Sequence, residues 1–393
     1  MVFKIRLEQF WMKDSCGETL LRPLTYITLD SIQEGVGQSQ VLSYIKKLST
    51  THEIRLVTFE KIEPNQSLIY ELRFHGVNWN YIPFGKSGIY GGVTRLFRLL
   101  QYIPTSGIVH ARGDIAAFAA ILKGSNQVIW DCRALMADHR RSLSPTNYQR
   151  IQAIFFSFIE KIIAKKSEKI IVITRAVIPV LKSRYALSED KFCHISTCVD
   201  LSIFRPLREE KSKKALLRIL IAGTLSPAYD ISLMNQILGK LKKTNDVIVT
   251  VALGLNHDTS WKKLDYVDEV LSVTHPEMPQ IINSSDFGFA IWRNDFGVAL
   301  TSVAATKVAE FLACGVPVVV NSLQGDFGDL IPKHNVGISV LNSSEQEIER
   351  VVLEIRKLSL DSNLSERCRN FACDLYSLDK AIVILENLYK ELE

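Results

Sequence analysis

Leu24-Thr25-Tyr26-Ile27-Thr28-Leu29, then Glu34-Gly35-Val36-Gly37, then apolar residues at Val41, Leu42, Ile45 and Leu48, then Ile54-Arg55-Leu56-Val57-Thr58-Phe59: this run decides the fold. The first and last pieces are short and mostly apolar, as strands buried in a parallel sheet are. The glycines mark a turn, and the 3.6-residue spacing after them marks a helix. A strand, a glycine turn, a helix and a second strand fold as a parallel βαβ unit.

Outward from this unit the alternation continues. Strands are predicted near 77–82, 107–110, 127–131, 169–173 and 192–195, with helical segments between most of them. Leu96, Leu99, Leu100 and Ile103 read as core of one helical segment. The strongest helix is 147–166. There Ile151, Phe155, Phe158 and Ile162, flanked by Ile154, Ile159 and Ile163, form one apolar stripe. A second alternation starts after Arg205-Pro206. Residues 207–214 are charged and aperiodic, as a linker would be. Leu216–Ala222 reads as a strand, Gly223 as a turn, and Ile231, Met234, Ile237 and Leu241 as one helix face. Further strands fit 246–252, 268–273, 286–291, 316–320 and 336–340. The prediction is an α/β protein of two doubly wound, Rossmann-like domains, with ligand room where the strands end.

The chain of 393 residues suits two such domains. Its net charge of +5 is uneven. Residues 1–205 carry 27 Lys/Arg and 17 Asp/Glu, hence +10, and residues 206–393 carry 20 and 25, hence −5. A basic first half suits anionic partners such as phosphorylated substrates or lipid headgroups. Nucleic acid is not expected, because no aromatics interleave with the basic clusters. Lys161, Lys165 and Lys166 fit a solvated helix face and a membrane-facing patch equally well. Arg95, Arg98 and the 85–92 loop fit contact with an acceptor or with a membrane. The N-terminus mixes charges into its apolar residues, so a cytoplasmic protein is expected, with peripheral contact on the inner face of the membrane as an added expectation. The seven cysteines lack zinc-knuckle spacing and read as reduced thiols.

Two segments carry candidate chemistry. Gly35-Val36-Gly37-Gln38 follows the first strand, where backbone N–H groups and a helix N-terminus can meet a phosphate; a tight turn without ligand is the plain alternative. No third glycine completes a dinucleotide fingerprint, and only Glu60 ends the second strand. The other segment is Thr306-Lys307-Val308-Ala309-Glu310, a short helix, closed by Gly315 before Val316-Pro317-Val318-Val319-Val320. Lys307 and Glu310 share one helical face. They could form a surface ion pair. Alternatively, Lys307 meets a diphosphate while Glu310 accepts hydrogen bonds from ribose hydroxyls.

The run from Lys307 through Glu310, Ala313, Gly315 and Pro317 to Val319 resembles the donor-site signature of retaining GT-B glycosyltransferases, in particular family 4 (glycosyl transferases group 1). Residues 35–42, the strand end Ile108-Val109-His110-Ala111-Arg112, the loop 131–138, the segment 195–204 and Ser285-Asp286-Phe287-Gly288 resemble other pieces of that family in the same order. The resemblance implies a glycosyltransferase moving a sugar from a nucleotide-diphosphate donor to a hydroxyl of a glycan, glycolipid or lipid-linked acceptor. Transfer would retain configuration and need neither metal nor cofactor. The natural setting would be bacterial polysaccharide assembly. Gly35, Gly37, Gln38, Gly223, Thr224, Arg293, Lys307 and Glu310 would bind the donor. His110, Asp131 and Arg133 would act catalytically, with Arg112, Asp138 and His139 on the acceptor side. The implied layout is an extension over 1–22, an acceptor domain over 23–205, a nucleotide-sugar domain over 206–375 facing it across a cleft, and a helix over 376–393 packing back on the first domain.

Two departures matter. Ser302 stands where the family has a first glutamate, which leaves the sugar unread, and Gly223–Asp230 lacks the Arg and Lys that relatives use on the diphosphate. Lys307 and Arg293 are then the expected cations of the second domain. The alternatives are a non-catalytic nucleotide-sugar-binding subunit and an epimerase or hydrolase of the same fold.

Overall fold

The computed structural model describes residues 22–86, 88–142, 146–207, 216–243, 246–254 and 259–393. Most of the predicted linker and nearly all of the N-terminal extension lie outside the described residues. Two sheets form. The first holds β1 (Arg22–Thr28), β2 (His52–Glu60), β3 (Asn78–Pro83), β4 (Ile108–Arg112), β5 (Gln127–Cys132), β6 (Lys169–Val172) and β7 (Phe192–His194) in the order β3-β2-β1-β4-β5-β6-β7. The second holds β8 (Leu216–Ala222), β9 (Asp246–Leu253), β10 (Glu269–Ser272), β11 (Phe287–Ala290), β12 (Val318–Asn321) and β13 (Gly337–Val340) in the order β10-β9-β8-β11-β12-β13. Every pairing within the sheets is parallel. In each sheet the order reverses beside the first strand, which opens a crevice at the strand ends.

Alternate residues of each strand feed opposite cores. In the first sheet Ile27, Val57, Val109 and Trp130 pack under the helices Gly88–Leu99, Asp114–Lys123 and Asn147–Lys166. Tyr26, Leu56, Ile108 and Ile129 pack on the other side against Ile45, Leu72 and the helix Leu378–Lys390. That last helix belongs to the end of the chain. The backbone crosses between domains twice at one place: Val199 N–H donates to Tyr376 O at 2.8 Å, and Leu378 N–H donates to Val199 O at 3.1 Å.

Three local readings are corrected. The strand predicted from Leu24 already begins at Arg22, because pairing with His52 extends it. The Gly35–Gly37 segment is not an open turn: it is helical and runs on through a π-helical stretch Gln38–Leu42 into Ser43–Leu48. The helix 147–166 has the predicted bounds, its start set by a capping box between Thr146 and Gln149, but the single predicted stripe is split between two faces. Ala153, Ile159, Ile163 and Ala164 face the core, while Ile151, Ile154, Phe155 and Phe158 are exposed. Small alanines let the helix lie close on its inner side. The bulkier stripe is left outside.

Candidate functional site

Two glycines let the helix Thr306–Ala313 pack closely, Gly288 against the second sheet and Gly315 against the helix Leu364–Leu375. A Cβ on Gly288 would lie 2.5 Å from the Phe311 ring, and one on Gly315 would lie 2.3 Å from Ser365 Oγ. Gly315 also has φ of 74°, a conformation that ends helices and favours glycine. This close approach carries Lys307 to the end of β8. Its ammonium donates to Ala222 O, lies 4.6 Å from the Tyr229 ring centroid, and sits 3.4 Å from where a Cβ on Gly223 would be. The turn without arginine or lysine is thus served by a lysine from a neighbouring helix. Gly223 itself has φ of 80°, and Thr224 beside it is exposed.

One turn further along the helix, Glu310 is 8% exposed. Among the described residues none donates a hydrogen bond to its carboxylate; the nearest basic atom is His275 Nε2 at 3.9 Å. Burial raises the carboxyl pKa to about 7, against the lowering effect of Lys307. Burial also lowers the pKa of His275, so its ring is neutral near pH 7, and its Nε2 has no hydrogen-bond partner. A buried carboxylate without donors can accept hydrogen bonds from hydroxyl groups. His275 and Tyr229 were not singled out from the sequence. The only signal for His275 is its place just beyond the end of β10.

Arg293, expected as a phosphate cation, pairs with an acid of its own loop. Its guanidinium is held by both oxygens of Asp295 and lies 5.7 Å from the Phe296 ring centroid. That pairing takes up its fork in this conformation. Ser302, at the position of the family's first glutamate, bonds the protein's own backbone. It is buried, its hydroxyl accepts the Leu135 N–H at 3.0 Å, and it donates to Ala299 O at 2.9 Å.

The first domain gathers its candidates at the ends of β4 and β5. Asp131 Oδ2 lies 3.3 Å from Arg133 Nε, 3.4 Å from His110 Nε2 and 3.6 Å from Arg112 Nη1. Burial works to raise the Asp131 pKa, but Arg133, His110 and Arg112 together hold it at about 2. Asp131 Oδ1 is buried without a hydrogen-bond partner. Arg112 Nε donates to Asp30 at 2.9 Å. His110 is buried in β4, stacked on Tyr26 at 4.4 Å between ring centroids, and its Nδ1 lies 2.7 Å from the Tyr389 hydroxyl. Burial lowers its pKa, and the Asp131 hydrogen bond does not fully offset that, so the ring is neutral near pH 7. Asp138 is engaged by Arg184 at 2.7 Å and Arg141 at 3.2 Å. His139 packs edge-on against Phe296 of the second domain.

Gly37 has a structural duty, since a Cβ there would lie 1.8 Å from Ser31 O. Gly35 faces open space, and no side chain caps the helix that begins at it. Glu60 is fully occupied in shaping the first loop: it accepts from Ser31 Oγ, Ile32 N–H, Gln33 Nε2 and Thr58 Oγ1. Among the described residues no hydrogen bond joins Gly35–Gln38 to Lys307 or Glu310; Gln40 donates from Nε2 to Cys198 O within the first domain at 2.8 Å.

The domains meet along a polar seam. Ser142 donates to Phe296 O at 2.9 Å, Thr174 to Thr301 O at 2.5 Å, and Thr197 to Ala304 O at 2.6 Å. The Asp326 carboxylate accepts the N–H groups of Arg175 and Ala176 at 2.7 and 2.9 Å. A cavity of about 910 Å³ opens by this seam, lined by Thr174, His194, Asp326 and Tyr376. Neither Lys307 nor Glu310 lines it, so its size does not mark the site described above.

No protein-family model matches the chain, and no curated protein matches it in sequence. Solved structures match it throughout. A glycosyltransferase from Rickettsia africae ESF-5 is 14% identical with a TM-score of 0.68, over 95% of this chain and 98% of that one. A sucrose-phosphate synthase from Thermosynechococcus elongatus is 12% identical with a TM-score of 0.72, over 94% and 99%. HepE from Anabaena, solved with UDP-glucose, is 12% identical with a TM-score of 0.65, also over 94% and 99%. At these identities the likeness shows the fold: two Rossmann-like domains in the GT-B arrangement.

Proposed function

We propose that the protein is a glycosyltransferase that uses a nucleotide-diphosphate sugar. One observation carries this reading: Lys307 stands over the Gly223 turn, one helical turn from the buried, donor-free carboxylate of Glu310. A cation at a glycine turn suits a diphosphate, and a desolvated carboxylate suits a pair of ribose hydroxyls. The uncapped start of the Thr306–Ala313 helix adds backbone N–H groups beside Lys307. That proteins of this fold include one solved with UDP-glucose supports the same reading.

In this mechanism Lys307 and the helix N-terminus stabilise the leaving diphosphate electrostatically, without a metal. The acceptor hydroxyl, of a glycan, glycolipid or lipid-linked chain, enters from the first domain. It attacks from the leaving-group face, so configuration is retained, and the departing phosphate takes its proton. Asp131, with Arg133 and Arg112, lines the acceptor side as a fixed anion with two cations. His110 supports Asp131 from below rather than meeting substrate, since it is buried and held by Tyr26 and Tyr389.

The test is a thermal-shift and calorimetric titration with UDP, GDP, ADP and TDP, with and without EDTA, on wild type and Glu310→Ala. One nucleoside diphosphate raises the wild-type melting temperature in EDTA, and the variant loses most of that shift. If no nucleoside diphosphate binds, the donor-site reading fails. Binding without hydrolysis or transfer to any offered acceptor favours the second reading, a sugar-nucleotide-binding subunit. The engagement of Ser302 by Leu135 in place of a sugar supports that alternative.

A further inference from the structure

The outward stripe of the helix Asn147–Lys166 is a row of exposed apolar side chains. Phe158 is 60% exposed and Ile154 69%, and Tyr148, Ile151 and Phe155 continue the row. These positions fall three and four apart, so they share one face of the helix, which is about 30 Å long. The row ends in Lys161, Lys165 and Lys166, all exposed, and Arg150 flanks its start. The neighbouring helix Gly88–Leu99 adds Phe97 and Tyr90, the latter 88% exposed, together with Val93 and Arg98. Both helices pack against Asp114–Lys123 on the same side of the first sheet. The Tyr148 hydroxyl lies 4.0 Å from where a Cβ on Gly88 would be, so the two faces adjoin at their N-terminal ends.

Charge separates the candidate occupants. The helix Gly88–Leu99 has no acidic residue, and the single acid of Asn147–Lys166, Glu160, is buried and held by Arg184 and Tyr185. Among the described residues of these two helices, the exposed face is aromatic and aliphatic in the middle and its exposed charges are all basic. A second copy docking through this face would meet its own patch, setting lysines and arginines against lysines and arginines. An anionic lipid surface satisfies both features: apolar side chains enter the acyl boundary while the basic rim meets headgroup phosphates. Tyrosine suits that boundary because one end of its ring is polar. No single helix among the described residues is long and apolar enough to cross a membrane, so the helices would lie on the surface.

We propose that the exposed faces of Gly88–Leu99 and Asn147–Lys166 form a docking surface for anionic lipid bilayers. The N-terminal ends of both helices sit at the edge where the strands of the first sheet end, the edge that carries Arg112, Asp131 and Arg133. A docked bilayer therefore runs alongside the mouth of the cleft. This surface is distinct from the donor site and does not depend on how that site is used.

The experiment is flotation of the full chain with vesicles of phosphatidylcholine alone and with vesicles containing phosphatidylglycerol, at low and high salt. Wild type binds the anionic vesicles at least about tenfold more strongly than the neutral ones, and salt weakens the binding. The double variant Phe155→Ser/Phe158→Ser and the double variant Lys161→Glu/Lys165→Glu each lose about tenfold or more, with unchanged melting temperatures. Phe74→Ser serves as control. Phe74 is 88% exposed too, but it lies on a helix packed against the opposite side of the sheet, and its loss leaves binding unchanged. Equal binding to both vesicle types, no binding to either, or an equal loss in the Phe74 variant overturns the proposal. So does a wild-type dimer in solution that the Phe155/Phe158 variant converts to monomer, which would assign the face to a second copy.

Discussion

Ser302 reaches out of the second domain and accepts the backbone N–H of Leu135 in the first, at 3.0 Å. Leu135 follows Arg133 by two residues, so this bond holds the loop that carries the Asp131–Arg133 pair against the second domain. Where the resemblance implied a glutamate for the sugar, the chain has a hydroxyl for its own backbone.

Ser302→Ala leaves the Leu135 N–H buried without its partner. The expected cost is about 1–3 kcal/mol in a denaturant melt. Ser302→Glu forces a longer, charged side chain into the same buried place and separates the domains. The second variant should show a larger radius of gyration in solution scattering than wild type. If both variants leave stability and size unchanged, the seam does not depend on this bond.

Glu310 makes a prediction about pH whose sign is fixed. Its pKa in the folded chain is about 7, raised by burial from the model-peptide value of 4.5. Between those pH values the folded state binds more protons than the unfolded one. Stability from this group is complete below about pH 4.5 and is lost as pH rises through 7, by about 3 kcal/mol. Glu310→Gln removes that fall, so the difference in melting temperature between variant and wild type widens from pH 5 to about pH 8. Ligand binding runs the other way. The ionised carboxylate accepts hydroxyl donors better, so nucleoside-diphosphate affinity rises with pH in wild type and is flat in the variant.

Lys307→Met keeps the stem length and removes the charge. A nucleoside diphosphate should then bind about tenfold to a hundredfold more weakly, while the bare nucleoside binds as before. Isothermal titration with UDP and uridine, or with the base preferred in the screen, distinguishes this from general damage to the site. Equal losses for both ligands would move Lys307 away from the phosphates.

Gly288→Ala tests how the site is positioned from a distance. The new methyl would meet the Phe311 ring at 2.5 Å, so the Thr306–Ala313 helix must shift. Overpacking of this kind costs about 1–3 kcal/mol. Nucleotide affinity should fall as well, although Gly288 lies on the strand beneath the helix. The companion Phe311→Leu change in the same chain makes room and restores part of both losses.

The strands were legible because parallel strands buried on both faces read as continuous apolar runs, and Val318–Asn321 or Leu216–Ala222 could hardly be anything else. The meeting of Lys307 with Gly223 was also legible in outline, because strand order in a doubly wound sheet brings those turns to one edge. The face of Asn147–Lys166 was not. Periodicity reports an apolar stripe without saying what lies opposite it, and this helix has two. The fate of Arg293 was closer to hand, since Asp295 is two residues away and a short loop brings the pair together. The buried partner of His110 was beyond reach, because Tyr389 lies 279 residues along the chain and arrives only through the second interdomain crossing.

That crossing also sets an order of assembly. Tyr389, Leu385 and Ile382 complete one core of the first sheet, yet they are made after every strand of both domains. During synthesis the side of the first sheet bearing Tyr26 and Ile129 is covered only by the early helices carrying Ile45 and Leu72 while the whole second domain emerges. The second domain can close on residues contiguous in sequence. The first domain, begun earlier, waits for the last turns of the Leu378–Lys390 helix before its core is sealed.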